Sequence, residues 1–303
     1  DFLPRRVPAR TPFSPVPEKG PNATPHTTQE RLTMQTPNPR AVRALAIAAL
    51  VSAAPASFAG VGEFFLVDNG DTSFYRGQVG ISASDSLVGA LPAMLWYDLA
   101  PGFDASFVFA VTQADFVALS TAGGSVLTSI VPDREFISIA TDTATSTVYA
   151  VTQGVPGTGQ LAELITLDTA TGQTTSIGEL GAGTDALSLV GLGFDPVTGG
   201  LYLTAGSGEL FSINANTGAA QLVGSTGLGM PFDVDYNPAD GNMYVTDAGR
   251  DELFILDRND ASVTLNTSYA NSDFATGLAF AIPTPGTTAL LALTGLGAAR
   301  RRR

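Results

Sequence analysis

Five short apolar segments recur along the chain, each with an aromatic residue in second place: Phe64-Phe65-Leu66-Val67-Asp68, Val108-Phe109-Ala110-Val111-Thr112, Val148-Tyr149-Ala150-Val151-Thr152, Leu201-Tyr202-Leu203-Thr204-Ala205 and Met243-Tyr244-Val245-Thr246-Asp247. The aromatic positions are 44, 40, 53 and 42 residues apart, and a Gly/Pro insertion around Val155 to Gln160 accounts for the long step. Two units show what one period contains. In the first, Gly193-Phe194-Asp195-Pro196 turns into Leu201-Tyr202-Leu203, followed by Glu209-Leu210-Phe211-Ser212-Ile213 and Gln221-Leu222-Val223-Gly224. In the next, Asp235-Tyr236-Asn237-Pro238 turns into Met243-Tyr244-Val245, followed by Glu252-Leu253-Phe254-Ile255-Leu256 and Ser262-Val263-Thr264-Leu265. Each unit holds four short strands. Asp-Pro and Asn-Pro start turns, and the glycines supply positive φ where the chain reverses.

A period near 42 residues, filled by a four-stranded meander, is the length of one blade of a β-propeller. The expected fold is therefore all-β, a single β-propeller over residues 60–281 with five four-stranded blades. The stretch from Asp71 to Leu91 fits the repeat poorly and leaves room for a sixth. The last strand-like segment, Gly277-Leu278-Ala279-Phe280, resembles the first strand of a unit, Gly191-Leu192-Gly193-Phe194, whereas Phe65 sits in a second strand. Pairing of the first and last strands would complete one blade, close the ring and remove a sheet edge. The aromatic column is expected to fill the core between blades. Met243-Tyr244-Val245-Thr246-Asp247-Ala248-Gly249 and Leu167-Asp168-Thr169-Ala170-Thr171-Gly172 resemble the YVTN-type repeats of secreted bacterial and archaeal propellers. That resemblance implies a scaffold rather than an activity.

The two ends read differently from the body. Residues 1–33 are Pro-rich, without apolar periodicity, and cannot bury a core. From Met34, the cations Arg40 and Arg43, the apolar run Ala44 to Ala54 and the small-residue end Ser57-Phe58-Ala59 follow in the order of a secretory signal peptide, with cleavage expected between Ala59 and Gly60. On this reading residues 34–59 are the signal, translation starts at Met34, and residues 1–33 are not translated. At the other end, Pro283-Thr284-Pro285, an apolar stretch from Gly286 to Ala299 and the cluster Arg300, Arg301, Arg302 and Arg303 resemble the PEP-CTERM sorting signal of exosortase substrates. Thr284 departs from the glutamate usual there. The resemblance implies that residues 282–303 anchor the chain transiently in the inner membrane until an exosortase-like enzyme cuts near Pro283 to Pro285. With short apolar helices at both ends, the expected partners in export are signal peptidase and that enzyme. The expected destination is the bacterial cell surface or extracellular matrix.

Composition narrows the chemistry. The chain has 303 residues, 33 Gly, 19 Pro, one His and no Cys, and a net charge of −13. Residues 60–281 hold 25 acidic residues against Arg76, Arg134, Arg250 and Arg258, so the body carries 4 − 25 = −21. That surface offers no basic footprint for nucleic acid. Without Cys, His or Lys in the body, acid–base work would fall to carboxylates, Tyr or a bound metal. Asp233 and Asp235 alternate along one strand and share a face that lines the ring axis. They and the turn residues Asp68 and Asp71 are the candidate calcium ligands, although Pro238 and Thr246 break an EF-hand pattern. No catalytic residue and no cofactor is identified. The favoured expectation is a surface-sorted module that binds an envelope or matrix ligand through loops at one mouth of the ring, more an interaction protein than an enzyme. The alternative is a secreted propeller hydrolase or lactonase using Asp or Glu with calcium. A convergent, partly buried carboxylate cluster at the channel mouth with raised pKa values would favour the enzyme; shallow, solvated loops would favour binding.

Overall fold

Twenty strands follow one another in the computed structural model, which describes residues 62–283 apart from Pro156, 182–183 and 185–187; among the described residues no helix occurs. The signal and sorting segments, with Ser57, Ala59, Gly60, Thr284, Pro285 and Arg300 to Arg303, lie outside the described residues. Only Pro283 of the sorting motif falls within them.

The strands form five four-stranded antiparallel sheets. Blade 1 contains β1 (Glu63–Asp68), β2 (Ser73–Gln78) and β3 (Ser86–Ala90); blade 2 runs through β4 (Trp96–Pro101), β5 (Phe107–Thr112), β6 (Phe116–Ser120) and β7 (Val126–Ile130). Blade 3 is β8 (Ser138–Asp142), β9 (Thr147–Val151), β10 (Glu163–Leu167) and β11 (Thr174–Glu179), and blade 4 is β12 (Leu189–Asp195), β13 (Gly200–Ala205), β14 (Glu209–Ile213) and β15 (Ala220–Ser225). Blade 5 holds β16 (Pro231–Asn237), β17 (Asn242–Asp247), β18 (Glu252–Leu256) and β19 (Val263–Ser268). The last strand, β20 (Ala275–Phe280), pairs with β1 and supplies the inner strand of blade 1. The ring is thus the expected five-bladed propeller, closed by its first and last strands. The irregular stretch after Asp71 forms β2 and β3, the third and fourth strands of blade 1, so there is no sixth blade.

The apolar core is the set of five seams between blades. Each of the five hydrophobic clusters joins two neighbours: Phe65, Trp96 and Leu99 between blades 1 and 2, for example, and Leu164, Leu192 and Leu203 between blades 3 and 4. Period-two alternation distributes one strand over two seams. On β13, Leu201 and Leu203 face blade 3 while Tyr202 faces blade 5. The aromatic column belongs to these seams, as expected: Tyr149 stacks on Phe194 of blade 4 at 5.9 Å and Tyr244 meets Phe280 of blade 1 at 5.0 Å.

Every outermost strand carries a bulge. Its extra residue, Val88, Leu127, Ile177 or Val223, turns toward the seam with the next blade in the first four blades. In blade 5 the extra residue is Asn266, whose Oδ1 accepts the Gly80 N–H at 2.7 Å. A bulge twists an edge strand away from flat pairing with another sheet. Beside it, glycine lets the next blade's turn approach: a Cβ on Gly178 would stand 2.2 Å from the Thr217 carbonyl oxygen.

Two aspartates fasten the closing blade. Asp68 Oδ2 accepts from Ser272 Oγ and from the Asp273 and Phe274 N–H groups at 2.9, 2.6 and 3.0 Å, while its Oδ1 accepts from Gly70 N. Asp85 accepts the N–H groups of Ala270, Asn271 and Ser272 at 2.6, 2.6 and 3.1 Å. Residues 270–274 are therefore held by the blade that β20 completes.

Candidate functional site

Five inner strands, β4, β8, β12, β16 and β20, surround the axis. At one level they present Asp98, Ser138, Gly191, Asp233 and Gly277. The glycines make room: a Cβ on Gly191 would sit 2.4 Å from the Asp233 Cα, and one on Gly277 would sit 2.8 Å from the Leu99 side chain. Into that space project Asp98 and Asp233, which are 1% and 0% exposed and lie close enough for each to perturb the other's titration. Two buried carboxyls this close resist ionising together, which favours keeping a proton in the pair. Asp98 accepts the Leu99 N–H at 2.9 Å and the Ile139 N–H of blade 3 at 2.7 Å. Asp233 accepts the N–H groups of Val234 at 2.6 Å and, in blade 1, Leu278 at 2.5 Å. These carboxyls thus act as acceptors linking inner strands that are not paired in one sheet.

One step along β16, Asp235 accepts from Tyr236 N and from Phe280 N of blade 1, both at 2.8 Å. Burial raises all three acids. It pushes Asp98 and Asp235 well above the ordinary carboxylate range and Asp233 up to about 7. The charge of Asp233 adds to the rise at both of the others.

The expected placement of Asp233 and Asp235 on one axis-lining face is what the strand shows. Asp98 was not singled out in the sequence, yet it stands in the same place relative to Leu99 as Asp233 does to Val234. Asp68, the last residue of β1, and Asp71, in the β1–β2 turn, lie elsewhere. Asp68 is surrounded by N–H and O–H donors, and Asp71 accepts the Tyr75 hydroxyl at 2.6 Å. Burial and that hydrogen bond push the Tyr75 phenol up to about 12. Among the described residues no three His, Cys, Asp or Glu side chains come together as a metal-holding group.

Depressions open on the ring over blades 2 and 3 and at the axis. Two adjoin over blades 2 and 3, of about 310 and 450 Å3, and share Arg134, Glu135 and Phe136. Their walls are loops: residues 112–115, residues 131–137 and the Val155–Gln160 insertion, whose two ends form a β-bridge. Val131 is 73% exposed and Val155 41%. Arg134 is fixed by Glu163, and this bond holds the Glu163 carboxyl below its usual range. The third, at one end of the axis, is of about 60 Å3 and includes Asp235 in its wall.

No protein-family model and no curated protein matches the sequence. Solved structures do match in fold. One chain of a nidogen/laminin complex superposes with a TM-score of 0.53 at 14% identity, covering 73% of this chain and 99% of that one. A streptogramin B lyase structure gives 0.42 at 12% identity over 74% of this chain and 71% of its own. A protein of unknown function from Bacteroides thetaiotaomicron gives 0.44 at 15% identity over 67% and 49%. At these identities the likeness is one of architecture: the protein is a five-bladed β-propeller.

Proposed function

We propose that this propeller is an exported protein, sorted to the cell surface, that acts as a binding or structural module of the envelope or matrix through the loops over blades 2 and 3. The observation that carries the reading is the contrast between its concave regions. The paired depressions are half-open to solvent and loop-lined, as suits a binding surface. The axial carboxyls do have raised pKa values, but Asp98 and Asp233 are sealed among inner strands and accept their backbone N–H groups. A general acid must reach its substrate. The YVTN-like repeats and the PEP-CTERM-like end support the same reading.

Two measurements test it. Intact-mass analysis of surface-released protein is expected to give residues 60 to about 283 plus a modification, and a membrane-held chain retaining Arg303 would overturn the sorting claim. Retention of the protein on isolated envelope and matrix material is expected to fall at least several-fold when the exposed Val131 and Val155 are both changed to Glu. Unchanged retention would reject these loops as the surface. The calcium-dependent hydrolase reading predicts instead a rise in melting temperature with calcium and not with magnesium.

A further inference from the structure

We propose that the mouth of the ring axis beside Asp235 binds a primary ammonium group, either a small free amine or the tip of a lysine side chain. The site is independent of the loops over blades 2 and 3. Its cavity, of about 60 Å3, is lined from every inner strand: Pro101 on β4, Thr141 on β8, Phe194 on β12, Asp235 and Tyr236 on β16, and Phe280 on β20. A single water needs about 10–15 Å3 measured in this way, so the space holds a few waters or one short aminoalkyl tip.

Three observations set the ligand chemistry. First, Thr141 is 6% exposed, lines this cavity, and its Oγ1 is buried without a hydrogen-bond partner. A ligand donor would satisfy this unpaired hydroxyl. Second, Asp235 uses one acceptor position on each oxygen for Tyr236 N and Phe280 N. A carboxylate has about four such positions, so about two remain. Third, no cation of the body serves it. Arg76, Arg134, Arg250 and Arg258 pair instead with Glu63, Glu163, Asp247 and Asp195, and residues 60–281 contain no Lys or His.

A buried carboxyl, an unmet hydroxyl and aromatic walls suit an ammonium, which brings three donors and is attracted to ring faces. The field of the acidic body favours any cation. A divalent metal is disfavoured because among the described residues no three metal-ligating side chains converge. A guanidinium confines its donors to one plane, whereas an ammonium spreads three donors around one nitrogen.

Charge adds a signature. Burial raises the Asp235 pKa and a bound ammonium favours the ionised form, so binding tightens as pH rises through the Asp235 titration. The charged group that acts on Asp235 is Asp233 on its own strand; the other acids of the inner strands are Asp98 on β4, Asp142 on β8 and Asp195 on β12, the last paired with Arg258, and β20 contributes none.

The test is titration of the full-length protein with methylamine, followed calorimetrically and by NMR. Saturable one-to-one binding is expected, several-fold tighter at pH 8 than at pH 6. Asp235→Asn should weaken it at least tenfold. Thr141→Val, which keeps the side-chain shape, should weaken it several-fold and keeps the test decisive if the first variant does not fold. An Nα-acetyl-lysine methylamide that binds more tightly than methylamine assigns the site to a protein lysine; weaker binding assigns it to a free amine. The proposal is overturned by no saturable methylamine binding, by equal binding of acetamide, methylguanidine or calcium, or by folded variants that bind like the parent.

Discussion

The buried carboxyls of the axis make a prediction that this sequence isolates unusually well. Asp98, Asp233 and Asp235 have raised pKa values in the folded ring, whereas an Asp in the unfolded chain titrates near 3.9. Between those values the native state holds more protons than the unfolded state, so stability falls as pH rises. Residues 60–281 contain no His, Cys or Lys, and ordinary carboxylates are ionised above about pH 5.5. The interval from about pH 5.5 to 7 therefore reports the axis together with Asp251, whose carboxyl burial also raises. A difference of one proton gives about 1.4 kcal/mol per pH unit, or about 2 kcal/mol across the interval, with more if the other two acids hold their protons as well. Urea unfolding at several pH values measures this slope. Asp98→Asn removes one partner of the pair and should flatten the slope by about one proton's worth. It should also cost about 1–3 kcal/mol at low pH, because an amide nitrogen cannot accept the Ile139 or Leu99 N–H. Stability that is flat or rises from pH 5.5 to 7 in the parent protein would refute the shared-proton account.

Other substitutions probe the seams. Arg258→Met leaves Asp195, which is 0% exposed, without its cation, and should lower unfolding free energy by about 3–5 kcal/mol in denaturant titration. Ser146 adopts φ 57 at an exposed turn position where the corresponding turns have Gly199 and Gly241, so Ser146→Gly should raise stability by about 0.5–1 kcal/mol; a loss would show that its φ carries no strain. Gly178→Ala drives a Cβ into the Thr217 carbonyl and should cost more than about 1 kcal/mol, read as a lower melting temperature. Asp68→Ala strips the acceptor from Ser272, Asp273 and Phe274, and should cost at least about 3 kcal/mol and speed hydrogen exchange in residues 270–280 first.

The blade count, the ring closure and the role of the aromatic column were legible because each follows from local periodicity. A strand with apolar residues on both faces has to be covered twice, and only neighbouring blades do that. The axis was half legible. The Asp233-Val234-Asp235 spacing placed two carboxyls on one face, but their burial depends on glycines at Gly191 and Gly277, on other strands, which let the inner strands close in. Asp98-Leu99 carries the same pattern as Asp233-Val234, a likeness visible when the inner strands are aligned instead of the more regular second strands of the repeat. Asp85 was not legible. It sits in an irregular turn, and its three N–H donors come from a loop at the far end of the chain.

The seam between β1 and β20 also fixes how the ring bears load. The two strands run antiparallel, and Ala281 N donates to the Glu63 carbonyl at 2.9 Å, so the chain enters and leaves the ring at the same corner. Tension pulling the two ends apart would peel this pairing one hydrogen bond at a time, the weak direction of a β-ladder. Tension on the C-terminal end alone, resisted by a ligand gripped elsewhere on the ring, would draw β20 along its length and load its ladder together with the Asp68 and Asp85 clamps. A propeller tethered through one end is a stronger mechanical link than the same ring strung between two.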